Sequence, residues 1–248
     1  MAFLSGNEAI AQGAWEAGVH IGIAYPGTPS TETMEELAKK PGVYAEWAPN
    51  EKVAVEVAVG AAAAGARVLA TMKHVGVNVA ADPLFTAAYT GVNGGMLVLC
   101  ADDPGMFSSQ NEQDSRFYAH AANIPMFEPS DSAEAHAFAH DAYALSEQFD
   151  TPFMIRTTVR TSHAKTVVEV GERTPVEVRP YEKDPAKWVM MPAFAKPRRV
   201  VLDGRVALLK EWVETCPYNV REDRSSELGI ICSGAVYQYV RDAMGRVM

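Results

Sequence analysis

The feature that most limits how this chain can fold is the alternation of short apolar runs with longer stretches of helical periodicity. Residues 21–25, 67–72, 94–101 and 152–157 are apolar runs of strand length, and residues 43–47 and 124–127 are briefer ones. Between them lie stretches that read as helices: residues 7–17, a segment running to Lys39, the small-residue stretch opened by Glu51, residues 77–90 and residues 130–148. Asn7 is read as the N-cap of the first helix, Ser30 or Thr31 of the second, Asn50 of the third, and Ser130 or Asp131 of the last. Strand and helix in turn, joined by short connections, predict an α/β fold: a parallel sheet with helices on both faces. Such sheets gather ligands at the C-terminal ends of their strands. Here those ends run from Tyr25 to Thr28, Trp47 to Glu51, Met72 to Gly76 and Ala101 to Gly105, where polar and glycine residues cluster.

Beyond His163 the pattern changes. Residues 166–200 alternate Val, Glu and Pro and read as an extended linker with some strand content; residues 202–215 read as one helix. Leu228-Gly-Ile-Ile-Cys-Ser-Gly234-Ala reads as a strand entering a glycine turn, with a helix over 236–244. The expected division is a domain over 1–165, a linker over 166–224, and the start of a second α/β domain over 225–248. A chain ending there is expected to be a truncated product or one part of a split gene.

A net charge of −9 in 248 residues argues against unspecific binding to nucleic acid or an anionic membrane face. Cys100, Cys216 and Cys232 show no C-x-x-C spacing, so neither disulfides nor a zinc or iron–sulfur site are expected in this chain. The N-terminus lacks the basic and apolar segments of a signal peptide, and no apolar run approaches the roughly 20 residues of a membrane span. The cytoplasm is the expected compartment.

Several residues admit both a chemical and a plain reading. Glu51 opens a helix, where the macrodipole alone favours a carboxylate; it is also a site candidate, because Ala54, Ala58, Gly60, Ala61, Ala64 and Gly65 leave faces thin enough for a ligand. Lys73 and His74 at a strand end could meet an anion or move protons, or be ordinary loop residues. Thr28 in its Pro-Gly-Thr-Pro turn could donate to a ligand or simply shape the turn. Asp102 and Asp103 look like a metal or acid/base pair, but turn chemistry explains Asp-Asp-Pro-Gly equally well and no third ligand is in reach by spacing. His136 and His140 have helical metal-ligand spacing without the glutamate of an H-E-x-x-H motif. No metal site is assigned.

Four stretches together carry a resemblance: Tyr25-Pro-Gly-Thr-Pro-Ser-Thr-Glu32, Tyr44-Ala-Glu-Trp-Ala-Pro-Asn-Glu-Lys-Val-Ala54, Gly65-Ala-Arg-Val-Leu-Ala-Thr-Met-Lys-His-Val-Gly76 and Ala101-Asp-Asp-Pro-Gly-Met-Phe-Ser-Ser-Gln-Asn-Glu-Gln-Asp114. They resemble the N-terminal part of the indolepyruvate:ferredoxin oxidoreductase alpha subunit, in the 2-oxoacid:ferredoxin oxidoreductase superfamily, and the likeness extends over nearly all of the chain. It implies the pyrimidine-binding domain of a thiamine-diphosphate enzyme. Glu51 then stands where that family holds the aminopyrimidine N1′ and favours its imino tautomer, a catalytic as well as a cofactor-binding role. Thr71, Met72, Gly76 and Asn78 are implied to line the cofactor, and Thr28, Lys73 and His74 to meet the 2-oxo acid. Pyruvate enzymes of the superfamily carry an arginine near the strand end corresponding to Asp102 and Asp103, and none stands in the sequence there; a bulkier arylpyruvate fits that departure.

The implied reaction is oxidative decarboxylation of an aryl 2-oxo acid with coenzyme A, with electrons passed through [4Fe-4S] clusters to ferredoxin. This chain has neither the family's Gly-Asp-Gly motif for the diphosphate and Mg2+ nor its cysteine-rich cluster segment. Both are expected on partners: a diphosphate-binding C-terminal half or subunit, and a small beta subunit, in a dimer or higher oligomer. The chain alone is expected to be inactive. The alternatives are the matching part of a pyruvate or 2-oxoglutarate enzyme, a split decarboxylase, or a non-catalytic fragment.

Overall fold

The structure, a computed structural model, describes residues 1–223 and 228–247. In chain order its first elements are β1 (Ala2–Ser5), α1 (Gly6–Glu16), β2 (Ile21–Ala24), α2 (Thr31–Leu37), β3 (Tyr44–Trp47), α3 (Glu51–Ala63), β4 (Val68–Lys73), α4 (His74–Val79), α5 (Ala81–Thr90) and β5 (Met96–Asp102). Then follow α6 (Ser115–Ala122), β6 (Met126–Phe127), α7 (Ser132–Phe149), β7 (Phe153–Thr158), α8 (Val159–His163), β8 (Lys165–Val168), α9 (Pro185–Trp188), α10 (Pro192–Val213) and α11 (Val236–Val247).

The main sheet has the order β3-β2-β4-β5-β7-β6, with every neighbouring pair parallel, while β1 and β8 form a separate antiparallel ribbon. β4 and β5 lie at its centre and are buried along their whole length, which is why they read as continuous apolar runs. Alternate side chains feed two cores. Val68, Ala70, Met72 and Val98 pack beneath α3 and α5, and Leu69, Leu97, Leu99 and Ile155 beneath α1 and α7. Helices therefore cover both faces, as the alternation predicts.

The strand order places the site. From β2 the chain runs to β3 on one side, then crosses back to β4 on the other. The C-terminal ends of β2 and β4 are neighbours whose connections diverge, a topological switch point of the kind at which open α/β sheets bind ligands. The residue-28 turn follows β2, Lys73 and His74 end β4, and α3 begins just past β3.

Several local expectations are corrected. The first helix is capped by Ser5, not Asn7. Ser5 and Glu8 form a reciprocal capping box, and Asn7 is buried with its amide on the Pro29 carbonyl at 2.8 Å. Residues 77–90 are not one helix: α4 and α5 are separate, with Ala80 between them. Pro83 has no amide hydrogen and its ring excludes a helical carbonyl four residues back, so the helix cannot run through. The expected polar loop of Lys73, His74, Gly76 and Asn78 is instead the last residue of β4 and the first turns of α4.

Residues 169–184 have no regular structure, yet they form a strap fastened under the N-terminal ends of the strands. Glu16 accepts the Gly171 amide, the His20 ring bonds the Val176 carbonyl, and Arg179 reaches both Gly65 and Glu147. α10 begins at Pro192, ten residues before the expected helix, with Pro197 inside it. It packs on α5, where Arg198 and Arg205 cap the carbonyls of Tyr89, Thr90 and Ala88. The strand expected to lead from Leu228 into the Gly234 turn is not formed: residues 228–233 have no regular structure, and Ile231 is fully exposed. A strand needs a neighbour for its backbone groups, and among the described residues none is offered.

Candidate active site

Glu51 is the first residue of α3, placed there by Asn50, whose side chain accepts the Val53 amide at 2.9 Å. It is half-buried and its carboxylate has no hydrogen-bond or ion-pair partner among the described residues. Opposite it lies Gly76. A Cβ at residue 76 would stand 2.5 Å from Glu51 Cγ and 2.7 Å from Oε1, so the carboxylate group occupies the space a side chain would need. That close approach is the physical reason for glycine there. The neighbouring face of α3 is lined by Ala54, Ala58 and Ala62, all buried.

At the neighbouring strand end, the turn after β2 is held from below. The Thr31 hydroxyl accepts the Gly27 amide at 2.9 Å, the Ser30 hydroxyl donates to the Gly27 carbonyl at 2.8 Å, and Asn7 grips Pro29. The Thr28–Pro29 peptide is cis, and Thr28 itself is exposed. Gly27 packs on Lys73, whose Cβ would lie 3.2 Å from a Cβ at residue 27. The structure thus brings the residue-28 turn to Lys73 and Glu51 to Gly76. Met72 and Thr71 lie buried just below, and the Thr71 hydroxyl has no hydrogen-bond partner. Asn78 turns elsewhere, donating to the Tyr118 hydroxyl at 2.6 Å.

Lys73 is buried and donates to the Ser108 carbonyl. His74 is fully buried with both ring nitrogens unpartnered. Burial pushes its pKa down, with Lys73 working the same way and Asp102, Asp103 and Glu112 opposing. It is a neutral imidazole at pH 7.

Asp102 and Asp103 are not a metal pair. Asp103 accepts the amides of Phe107 and Ser108 and the Ser109 hydroxyl. Burial opposes its ionisation, but those hydrogen bonds prevail and hold its carboxyl below the usual range. Asp102 accepts the Ser115 amide at 3.1 Å and faces Arg156 Nε at 2.7 Å. Both carboxylates are used to shape residues 103–114, and no metal-binding cluster of His, Cys, Asp and Glu occurs among the described residues. His136 is paired with Glu16 and His140 with Asp141. The strand end at Asp102 does have an arginine beside it: Arg156 of β7, brought there by parallel pairing with Cys100. Its Nε faces Asp102 and its Nη1 donates to Glu128. Arg156 and Asn7 were the site residues that sequence reasoning missed. Both act on partners more than 20 residues away, and no local spacing announces them.

Comparison with known proteins bears on what this arrangement binds. The family described as "Pyruvate flavodoxin/ferredoxin oxidoreductase, thiamine diP-bdg" matches residues 12–213. The indolepyruvate oxidoreductase subunit IorA of Methanothermobacter marburgensis is 48% identical over 98% of this chain, and that of Archaeoglobus fulgidus 45% identical over 98%. The 2-oxoglutarate synthase subunit KorA of Methanothermobacter thermautotrophicus is 26% identical over 82% of the chain. The chain spans 40% of the length of the two IorA relatives. A solved 2-oxoglutarate:ferredoxin oxidoreductase from Magnetococcus marinus superposes with a TM-score of 0.76 over 99% of this chain and 51% of its own. At 17% identity it speaks for the fold alone. No helix among the described residues is long and apolar enough to cross a membrane. From the match over residues 12–213, the chain belongs to the thiamine-diphosphate-binding family of pyruvate flavodoxin/ferredoxin oxidoreductases.

Proposed function

We propose that this chain is the N-terminal, pyrimidine-binding part of an indolepyruvate:ferredoxin oxidoreductase alpha subunit, with residues 1–165 as the binding domain and 225–248 opening a second unit. The observation that carries this reading is the carboxylate of Glu51. It is unpaired among the described residues, it sits at the start of a small-residue helix, and glycine opposite leaves it room. An unpaired, half-buried carboxylate costs free energy unless a donor arrives, and the protonated ring nitrogen of an aminopyrimidine is such a donor.

When bound, thiamine diphosphate supplies the nucleophilic carbon and electron sink that 2-oxo acid decarboxylation needs. The chain's own residues hold and orient. Glu51 accepts the hydrogen bond at N1′. Gly76 with Thr71 and Met72 forms the wall beside it, and Asn78 steadies α4 through Tyr118. Thr28, Lys73 and His74 face the 2-oxo acid: Thr28 with an exposed hydroxyl, Lys73 with a positive charge fixed by the Ser108 carbonyl, His74 as a neutral, water-excluded wall. Arg156 is already engaged by two carboxylates through Nε and Nη1, which weakens it as a clamp for a small substrate and favours an aryl 2-oxo acid. So does the identity of 45–48% to indolepyruvate subunits against 26% to a 2-oxoglutarate subunit.

The rest of the assembly, in this reading, supplies the diphosphate and Mg2+ site, the [4Fe-4S] clusters, coenzyme A binding and the ferredoxin contact, through the C-terminal half and a small beta subunit. The enzyme is a cytoplasmic oligomer of the EC 1.2.7 type, number 1.2.7.8 by reaction, and the chain alone is inactive. The test is anaerobic co-expression with the remainder of the subunit and the small partner, followed by viologen reduction with thiamine diphosphate, Mg2+ and coenzyme A. Indolepyruvate is expected to exceed pyruvate and 2-oxoglutarate in kcat/KM by about tenfold or more. An intact, cluster-loaded complex that prefers 2-oxoglutarate would move the chain to that branch, and one that turns over none of the three would contradict the reading.

A further inference from the structure

Residues 103–114 leave the C-terminal end of β5 and return at the start of α6, over Lys73 and His74. Their two ends are pinned by one side chain: Asp102, at the last residue of β5, accepts the amide of Ser115, the first residue of α6. Asp102 is fully buried. A buried carboxylate holds that position only if it is compensated, and the compensation comes from Arg156, itself 6% exposed. Arg156 Nε faces Asp102 at 2.7 Å, Arg156 Nη1 donates to Glu128, and the second Glu128 oxygen accepts the Ser233 hydroxyl at 2.6 Å. Gly234, at φ +59°, packs on the same glutamate. One guanidinium on β7 therefore joins the end of β5, the residue just past β6, the start of α6, and the turn that precedes α11.

We propose that Arg156 is a positioning residue: through Asp102 it fixes both ends of the 103–114 loop and hence the Ser108 carbonyl that holds Lys73, and through Glu128 it ties that loop to the turn of Ser233 and Gly234. The planar fork is what the role requires. Two carboxylates, one at the end of β5 and one just past β6, are met at once by rigid, divergent N–H groups, which a lysine ammonium on a flexible stem does not reproduce. The catalytic consequence rests on the reading of this strand end as the substrate end; the network itself is independent of that reading and is tested without cofactor.

The experiment compares the unsubstituted 248-residue chain with Arg156→Lys and Arg156→Gln by amide hydrogen exchange and by NMR titration of the His74 ring. In the unsubstituted chain the Ser108 and Ser115 amides are expected to be protected well beyond an open loop. In both variants they exchange about tenfold faster or more, while the β4 and β5 amides keep their protection. In Arg156→Gln the His74 titration moves to higher pH, because without the guanidinium charge Asp102, Asp103 and Glu112 favour the protonated ring more strongly against burial and Lys73. Rescue of the Ser108 and Ser115 protection by lysine would show that charge alone suffices and would overturn the positioning role. Unchanged exchange and titration in folded variants would overturn it, and so would unprotected Ser108 and Ser115 amides in the unsubstituted chain, which needs no variant to fold. Failure of the reconstituted enzyme to turn over a 2-oxo acid would refute the proposed function and leave these readouts intact.

Discussion

Replacing Gly76 by alanine separates function from folding in a way the geometry specifies. The new Cβ would lie 2.5 Å from Glu51 Cγ, 2.7 Å from Oε1 and 2.9 Å from Cδ. Those are all atoms of one side chain, half-buried at a helix end, so Glu51 can swing aside where packed backbone could not. Alanine in place of glycine inside a helix stabilises by about 0.5–1 kcal/mol. Displacing Glu51 offsets some of this, and the net change in unfolding free energy is expected within about 1 kcal/mol of zero. The cost falls on the cofactor. Losing a hydrogen bond to a charged group is worth about 1.5–3 kcal/mol, or about 10- to 150-fold in cofactor affinity or turnover. Urea unfolding of the chain gives the first quantity, and thiamine diphosphate titration of the assembled enzyme the second. Full activity at unchanged stability would refute the placement of Glu51. A loss of stability above about 3 kcal/mol would refute the idea that Glu51 gives way, since that is the upper range for overpacking a rigid site.

Two further predictions follow from buried groups. Because burial lowers the His74 pKa, the unfolded chain binds more protons than the folded one below about pH 6.5, so its contribution to stability is complete above that pH and is lost as pH falls towards the folded value. His74→Leu should flatten that part of the curve at little cost at pH 7; His140, whose raised pKa acts oppositely, is common to both proteins, so the difference between the two curves is the readout. An identical slope in both would contradict the buried neutral ring. Glu147 receives Arg67 at 2.7 and 2.9 Å, the Gly95 amide at 3.1 Å and Arg179, and so fastens the strap to the sheet. Glu147→Ala should cost about 3 kcal/mol in chemical denaturation by leaving Arg67 without its partner, and a loss under about 1 kcal/mol would show the strap to be superficial.

The parallel sheet was legible because β2, β4, β5 and β7 are nearly continuous apolar runs, and a strand buried on both faces can be little else. That Glu51 opens α3 was legible because Asn50 ahead of it is a good N-cap for a small-residue run; its part in a site was implied by the family resemblance, since the helix dipole alone favours a carboxylate there. What local reading lost has physical reasons. β4 passes into α4 with no connecting residue, so Lys73, His74 and Gly76 look like a polar loop although they are buried. Ser5 and Glu8 do carry a capping-box signature, but Asn7 is as good a cap in isolation; it is drawn inward by the Pro29 carbonyl, which sequence spacing does not reveal. The strap over 169–184 has no periodicity, because its stability comes from single bonds to distant residues such as Glu16, His20 and Glu147. Arg156 stands 54 positions from Asp102, and only the register of β5 with β7 brings them together.

The central claim is that Glu51 is the carboxylate that meets the cofactor, and the most direct measurement is turnover of the assembled enzyme with Glu51→Gln beside Glu56→Gln, an exposed glutamate of the same helix. The account predicts that Glu51→Gln lowers indolepyruvate-dependent viologen reduction by about 100-fold or more, because a neutral amide cannot favour the imino tautomer, while Glu56→Gln stays near the unsubstituted level. Equal activity in all three proteins would contradict it.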